Sequence, residues 1–124
     1  MQRVSQGLLL LTLLAAGGCH PRQRGEVEPD ADITLDVINH NWLDVTVYVL
    51  HDGERTRLGL VTASSTQSFT LLARLVGQSH ELALLGEAVG SRDAARTEVL
   101  SVRPGQRIEW TLESDLRRSS IGVY

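Results

Sequence analysis

The apolar positions of this chain change their spacing once. Near the start they run together, and after residue 32 they alternate with polar positions in short bursts, the spacing that a sheet with one buried face requires. Ile33, Leu35 and Val37 alternate with Thr34 and Asp36 and predict a first strand that stops at the turn-forming Asn39-His40-Asn41. Val45, Val47 and Val49, separated by Thr46 and Tyr48, predict a second strand rich in β-branched and aromatic side chains. His51-Asp52-Gly53-Glu54 then reads as a hairpin turn, because Gly accepts a positive φ, and Arg55 to Val61 is the return strand with Leu58 and Leu60 facing one way.

The hydroxylated run Thr62 to Thr66 turns the chain into a strand carrying Phe69 and Leu71. Between Leu72 and Leu85 two periods compete. Leu75, Val76, Leu82, Leu85 and Val89 would share a helix face, but Gly77, Ser79 and Gly86 interrupt it, and the β neighbours favour a loop followed by a strand over Glu81 to Leu85. Val89 to Asp93 is a loop, Thr97 to Val102 a strand, and Arg103-Pro104-Gly105-Gln106 a tight turn. Ile108, Trp110 and Leu112 mark a final amphipathic strand, which leaves Ser114 to Tyr124 as a mostly polar tail. The expected fold class is all-β: a small antiparallel β-sandwich of about seven strands, immunoglobulin-like or a related Greek key. It occupies residues 33–113, with 114–124 as a C-terminal tail.

The apolar run at the start has a different purpose. Arg3 and Gly7 precede Leu8, Leu9, Leu10, Leu11, Thr12, Leu13 and Leu14. That is far below the roughly 20 apolar residues of a membrane-spanning helix and matches the core of a signal peptide. Small residues follow, and Ala16-Gly17-Gly18-Cys19 resembles the bacterial lipoprotein lipobox, with Ala16 where Leu is usual. The resemblance implies cleavage between Gly18 and Cys19, lipid on the Cys19 thiol, and acylation of the new N-terminus. Several acyl chains on one residue anchor far more firmly than one, since each buried CH₂ contributes about 0.8 kcal/mol. The family places Asp after the cysteine in proteins kept at the inner membrane. His20 stands there instead, which implies the outer membrane, facing periplasm or surface, in a Gram-negative envelope.

Residues 1–18 are therefore expected to be a signal peptide and 19–32 a lipidated N-terminus with a flexible linker, a polar stretch broken by Pro21 and Pro29. The segments V-I-N-H-N-W-L-D-V-T-V-Y-V and L-S-V-R-P-G-Q-R-I-E-W-T-L resemble uncharacterised bacterial β-sandwich lipoproteins, a likeness that implies fold and no chemistry.

Composition narrows the function. The chain has 124 residues, room for one domain, and a formal net charge of −3. All 12 basic side chains are Arg, scattered singly or in pairs, so no basic field exists to gather nucleic acid. With Cys19 the sole cysteine, the domain has no disulfide and no thiolate metal site. The chain lacks a G-x-S-x-G elbow and, having no Lys, a phosphate-binding G-x-x-x-x-G-K-[ST] loop. No cofactor and no catalytic residue is expected.

Trp42 is the candidate contact residue, in a loop between Asn41 and Leu43 where a large ring is free to stack on a sugar or insert into a partner; the competing reading makes it a plug at the end of the sandwich. Trp110, in clean alternation, is core. The expected function is a membrane-anchored lipoprotein of the cell envelope with a non-catalytic binding or structural domain. Its partners are membrane lipid through Cys19 and an envelope protein or glycan. Two alternatives stand beside it: a small metal-binding or enzymatic periplasmic domain built on His40, His51 and His80, and an assembly subunit whose Ile121 to Tyr124 adds to a neighbour's sheet edge.

Overall fold

The computed structural model describes residues 17–18 and 31–124. Most of the expected signal segment, Cys19 and the linker up to Asp30 lie outside the described residues. Among the described residues there are nine strands: β1 (Ile33–Asn39), β2 (Val45–His51), β3 (Glu54–Val61), β4 (Thr66–Leu71), β5 (Glu81–Ala88), β6 (Ala94–Arg96), β7 (Leu100–Ser101), β8 (Arg107–Leu112) and β9 (Ser120–Val123). They form two sheets, one ordered β4-β1-β8-β9 and the other β3-β2-β5-β6 with β7 also paired to β5. The protein is an all-β sandwich.

The alternating positions form its interior. Ile33, Leu35, Val37, Leu71, Ile108, Trp110 and Leu112 from the first sheet meet Val45, Val47, Val49, Val61, Leu82 and Leu84 from the second, all at most 2% exposed. Two glycines of the second sheet lie under aromatic rings of the first. A Cβ on Gly59 would fall 2.9 Å from a ring carbon of Phe69, and one on Gly86 would fall 3.2 Å from Trp110. The β2–β3 turn has the two consecutive positive φ values of a tight hairpin, 49° at Asp52 and 74° at Gly53.

Four expectations are corrected. First, the sandwich is not purely antiparallel, because β1 pairs with β8 in parallel; burial of one face gives the same alternation in either direction, so the pattern could not tell them apart. Second, Leu58 and Leu60 do not share a face. The register slips from Val47↔Gly59 to Tyr48↔Arg57, leaving Leu58 as the extra residue of a bulge packed against the core, while Leu60 is 41% exposed.

Third, of the strand expected over Thr97 to Val102 only the two-residue β7 (Leu100–Ser101) forms, and the short strand β6 (Ala94–Arg96) ends before the expected start. The Thr97 hydroxyl accepts the Leu84 N–H at 2.9 Å and donates to the Glu98 carbonyl at 2.8 Å, so a side chain takes a ladder position and the backbone leaves the sheet. Fourth, residues 114–124 are part of the domain. Leu116 is buried, Asp115 caps a 3₁₀ turn by accepting the Arg117 N–H, and β9 pairs antiparallel with β8. Two inward residues, Ile121 and Val123, are too few to show a period. In the contested stretch, a 3₁₀ turn over Ala73–Leu75 and a loop lead to β5, as the strand reading expected.

Asp36 is the one buried carboxylate among the described residues, 6% exposed on the outer side of β1. It accepts a hydrogen bond from Ser68, its partner across β4, and is paired with the Arg107 guanidinium. The Ser68 hydroxyl holds the Asp36 carboxyl below the usual aspartate range; burial opposes this and Arg107 reinforces it.

Candidate functional site

The loop from His40 to Asp44 lies at the far end of β1 from Ile33, and β1 is seven residues long, about 20 Å at strand rise. Asn39 and Asn41 hold it. Asn39 is fully buried; its amide donates to the carbonyls of Leu43 (3.0 Å), Thr62 (3.2 Å) and Val61 (3.3 Å), and its side-chain oxygen accepts the Asn41 N–H at 2.9 Å. Asn41, 3% exposed, repeats the device one step on. Its amide donates to the carbonyls of Ser114 (3.0 Å) and Glu113 (3.2 Å), and its oxygen accepts the Leu43 N–H at 2.9 Å. Each asparagine closes a turn over the next two residues while tying it to a distant strand end.

The remaining backbone is fixed from the sides. The His40 N–H donates to Leu112, the Asn41 carbonyl accepts from Ser64, and Asp44 accepts the Ala63 N–H through its carboxylate and the Val89 N–H through its carbonyl. These bonds join the ends of β1, β3, β5 and β8 around a loop of five residues. Trp42 stands on that frame 76% exposed, the most exposed large apolar side chain described. A buried Trp finds contacts; an exposed Trp on a rigid loop presents apolar area that costs little entropy to engage.

Two further apolar side chains flank the loop. Leu60, opposite Thr46 near the start of β2, is 41% exposed, and Val89, bonded to Asp44, is 50% exposed. The patch is rimmed by His40 and Glu113, an exposed pair 3.7 Å apart. Trp42 does not plug the sandwich; the asparagines do. Trp110, by contrast, is core as expected, 1% exposed.

The three histidines do not converge. His40 belongs to this end, whereas His51 and His80 belong to the opposite one, at the β2–β3 turn and before β5. Among the described residues no group of three His, Cys, Asp or Glu is placed to hold a metal ion. His51 lines an open cleft with Leu50, Arg55, Leu85 and Arg96, and its Nε2 lies 3.3 Å from the Thr56 hydroxyl. Ser79, on the same cleft, donates to the Val76 carbonyl rather than to a base. The segment Ile121 to Tyr124 is already engaged by its own sheet, through β9 and the paired backbone bonds of Tyr124 and Arg107.

Sequence reasoning found Trp42 but missed the residues that make it a site. The signal was present: two asparagines bracketing one residue before an aromatic, N-H-N-W, in a position read only as a turn. Leu60 was misplaced because the bulge at Leu58 cannot be seen in the alternation.

No family model matches the chain, and no curated protein matches it. Among solved structures, an NMR structure of a protein from Eubacterium rectale is similar with a TM-score of 0.46 and 13% identity, over 81% of this chain and 93% of that one.

Proposed function

We propose that the chain is a lipid-anchored protein of the bacterial cell envelope whose sandwich is a non-catalytic binding module, with Trp42 at the centre of its contact surface. The observation that carries this reading is the exposure of Trp42, 76%, on a loop whose backbone is tied to four strand ends. Binding hot spots are typically such aromatic anchors, set among smaller apolar contacts and a polar rim; Leu60, Val89, His40 and Glu113 supply both.

The anchor half of the proposal rests on Ala16-Gly17-Gly18-Cys19 and the apolar run before it. It fits the placement of the contact surface. The chain from Cys19 joins the domain at Ile33, and Trp42 lies at the other end of β1, so a membrane-tethered domain holds this surface away from the lipid. His20 after the cysteine favours the outer membrane where the envelope has one. The partner class is an envelope protein or glycan.

Metabolic labelling with a tagged fatty acid tests the anchor: label enters the wild-type chain and is absent from Cys19→Ser. A photoreactive residue at position 64 tests the surface. Adducts form in the native envelope and are lost in Trp42→Ala; undiminished adducts in that variant would remove Trp42 from the site.

A further inference from the structure

The end of the sandwich opposite Trp42 has its own chemistry. Along the first sheet, Leu71 pairs with Ile33, the Gln106 carbonyl accepts from Thr34, and Arg107 exchanges two backbone bonds with Tyr124. The row Leu72, Ile33, Gln106, Tyr124 therefore runs across the strand ends, with the chain from residue 31 joining in its middle. Two exposed apolar side chains sit on it, Leu72 at 38% and Tyr124 at 71%. Beyond Leu72 the 3₁₀ turn carries the exposed Arg74 and the half-buried Leu75, and the turn before β8 carries the exposed Arg103.

Arg74 and Pro104 line one shallow hollow beside Ile33, together with Val76 and His80, so the two turns are neighbours. Neither Arg74 nor Arg103 has a carboxylate within ion-pair distance among the described residues, whereas Arg55, Arg107, Arg117 and Arg118 all do. The acidic groups at this end, Asp52, Glu54 and Glu81, belong to the second sheet's side, at the β2–β3 turn and the start of β5. His51 faces Asp52 there at 3.7 Å. On the first sheet's side, Asp32 is the opposing charge among the described residues, and Glu26, Glu28 and Asp30 precede it in the sequence.

We infer that this end, through Leu72, Arg74, Leu75, Arg103 and Tyr124, docks on the anionic phospholipid headgroups of the membrane that holds the anchor. The inference rests on the lipoprotein reading above. Apolar and aromatic side chains beside arginines with no ion-pair partner among the described residues suit a headgroup boundary, where the former enter the acyl edge and the latter meet phosphate. The geometry of attachment supplies the proximity. The 13 residues 20–32 separate Cys19 from Ile33 and reach at most about 45 Å, so this end is held at a high effective concentration over lipid and a weak contact suffices. Acidic residues on the second sheet's side tilt the domain, bringing the first sheet's side down. Docking fixes the direction in which Trp42 is presented.

The test uses the full, processed chain in vesicles of phosphatidylethanolamine with phosphatidylglycerol. An acylated Cys19 has no free thiol, so Leu72→Cys takes an environment-sensitive dye at one place, and Ser64→Cys at the Trp42 end is the control. Mass spectrometry of Cys19 comes first; an unacylated cysteine overturns the lipoprotein reading and this inference with it. With acylation established, we expect blue-shifted, brighter emission from position 72 and an aqueous spectrum from position 64. Replacing Arg74 and Arg103 by Glu lowers the ratio of docked to free domain by at least about fivefold for each arginine, since a basic side chain at an anionic surface contributes about 1 kcal/mol. An aqueous spectrum at position 72, or a shift unmoved by the charge reversals, overturns the inference alone.

Discussion

Trp110 of β8 packs its indole over Gly86 of β5, so closely that a Cβ on the glycine would lie 3.2 Å from the ring and 3.0 Å from Val45. The missing side chain of one sheet is the space the other sheet's largest side chain fills. Because that space is already at packing density, Gly86→Val overfills it and should destabilise the domain by about 1–3 kcal/mol, while Trp110→Ala empties it at a cost of about 3–5 kcal/mol. Urea unfolding measures both. If Gly86→Val unfolds at the wild-type midpoint, the sheets are not in the contact described.

The asparagine clamp separates stability from recognition. Asn41→Ala leaves the carbonyls of Glu113 and Ser114 and the Leu43 N–H without their partner, with an expected loss of about 1–3 kcal/mol. Trp42→Ala removes an exposed ring and should change stability by no more than about 0.5 kcal/mol. Amide exchange over residues 40–44 should quicken in Asn41→Ala and stay at the wild-type rate in Trp42→Ala. Equal rates in all three proteins would mean that the side chain does not order the loop.

Asp36 gives the pH dependence a direction. Its folded pKa is depressed by the Ser68 hydroxyl first and by Arg107 as well, against burial. A depressed carboxylate stabilises the fold above its unfolded value, about 3.9, and that contribution is lost as the pH falls through the lower, folded pKa. Stability measured through the acid range should therefore fall less steeply in Asp36→Asn, and Ser68→Ala should bring the titration of Asp36 back toward the ordinary value. A steep acid loss that survives both substitutions must come from another group.

The legible part of this protein was the part governed by one-sided burial. β1, β2 and β8 follow from Ile33/Leu35/Val37, Val45/Val47/Val49 and Ile108/Trp110/Leu112, and the Asp52-Gly53 turn from a positive φ. Part of what was not legible depends on partners distant in sequence. The parallel pairing of β1 with β8 joins residues more than sixty apart on the same alternation either direction would give. The bulge at Leu58, the hydroxyl of Thr97 in the ladder and the return of residues 120–123 to the first sheet are single-residue or short-range departures that no period marks. At the candidate site the exposed ring could be picked out by residue type, but the loop that carries it is held by Asn39 and Asn41 reaching strand ends at residues 61–62 and 113–114.

The central claim, that the Trp42 end is the contact surface, is tested most directly by thiol accessibility in the native envelope. Ser64→Cys beside the loop and Arg96→Cys on β6 are each exposed in the isolated domain. The account predicts that a membrane-impermeant maleimide, admitted to the opened envelope, modifies position 64 several times more slowly there than in the purified protein. Position 96 should react alike in both, and Trp42→Ala should restore the fast rate at position 64. Equal rates at position 64 in envelope and purified protein would contradict it.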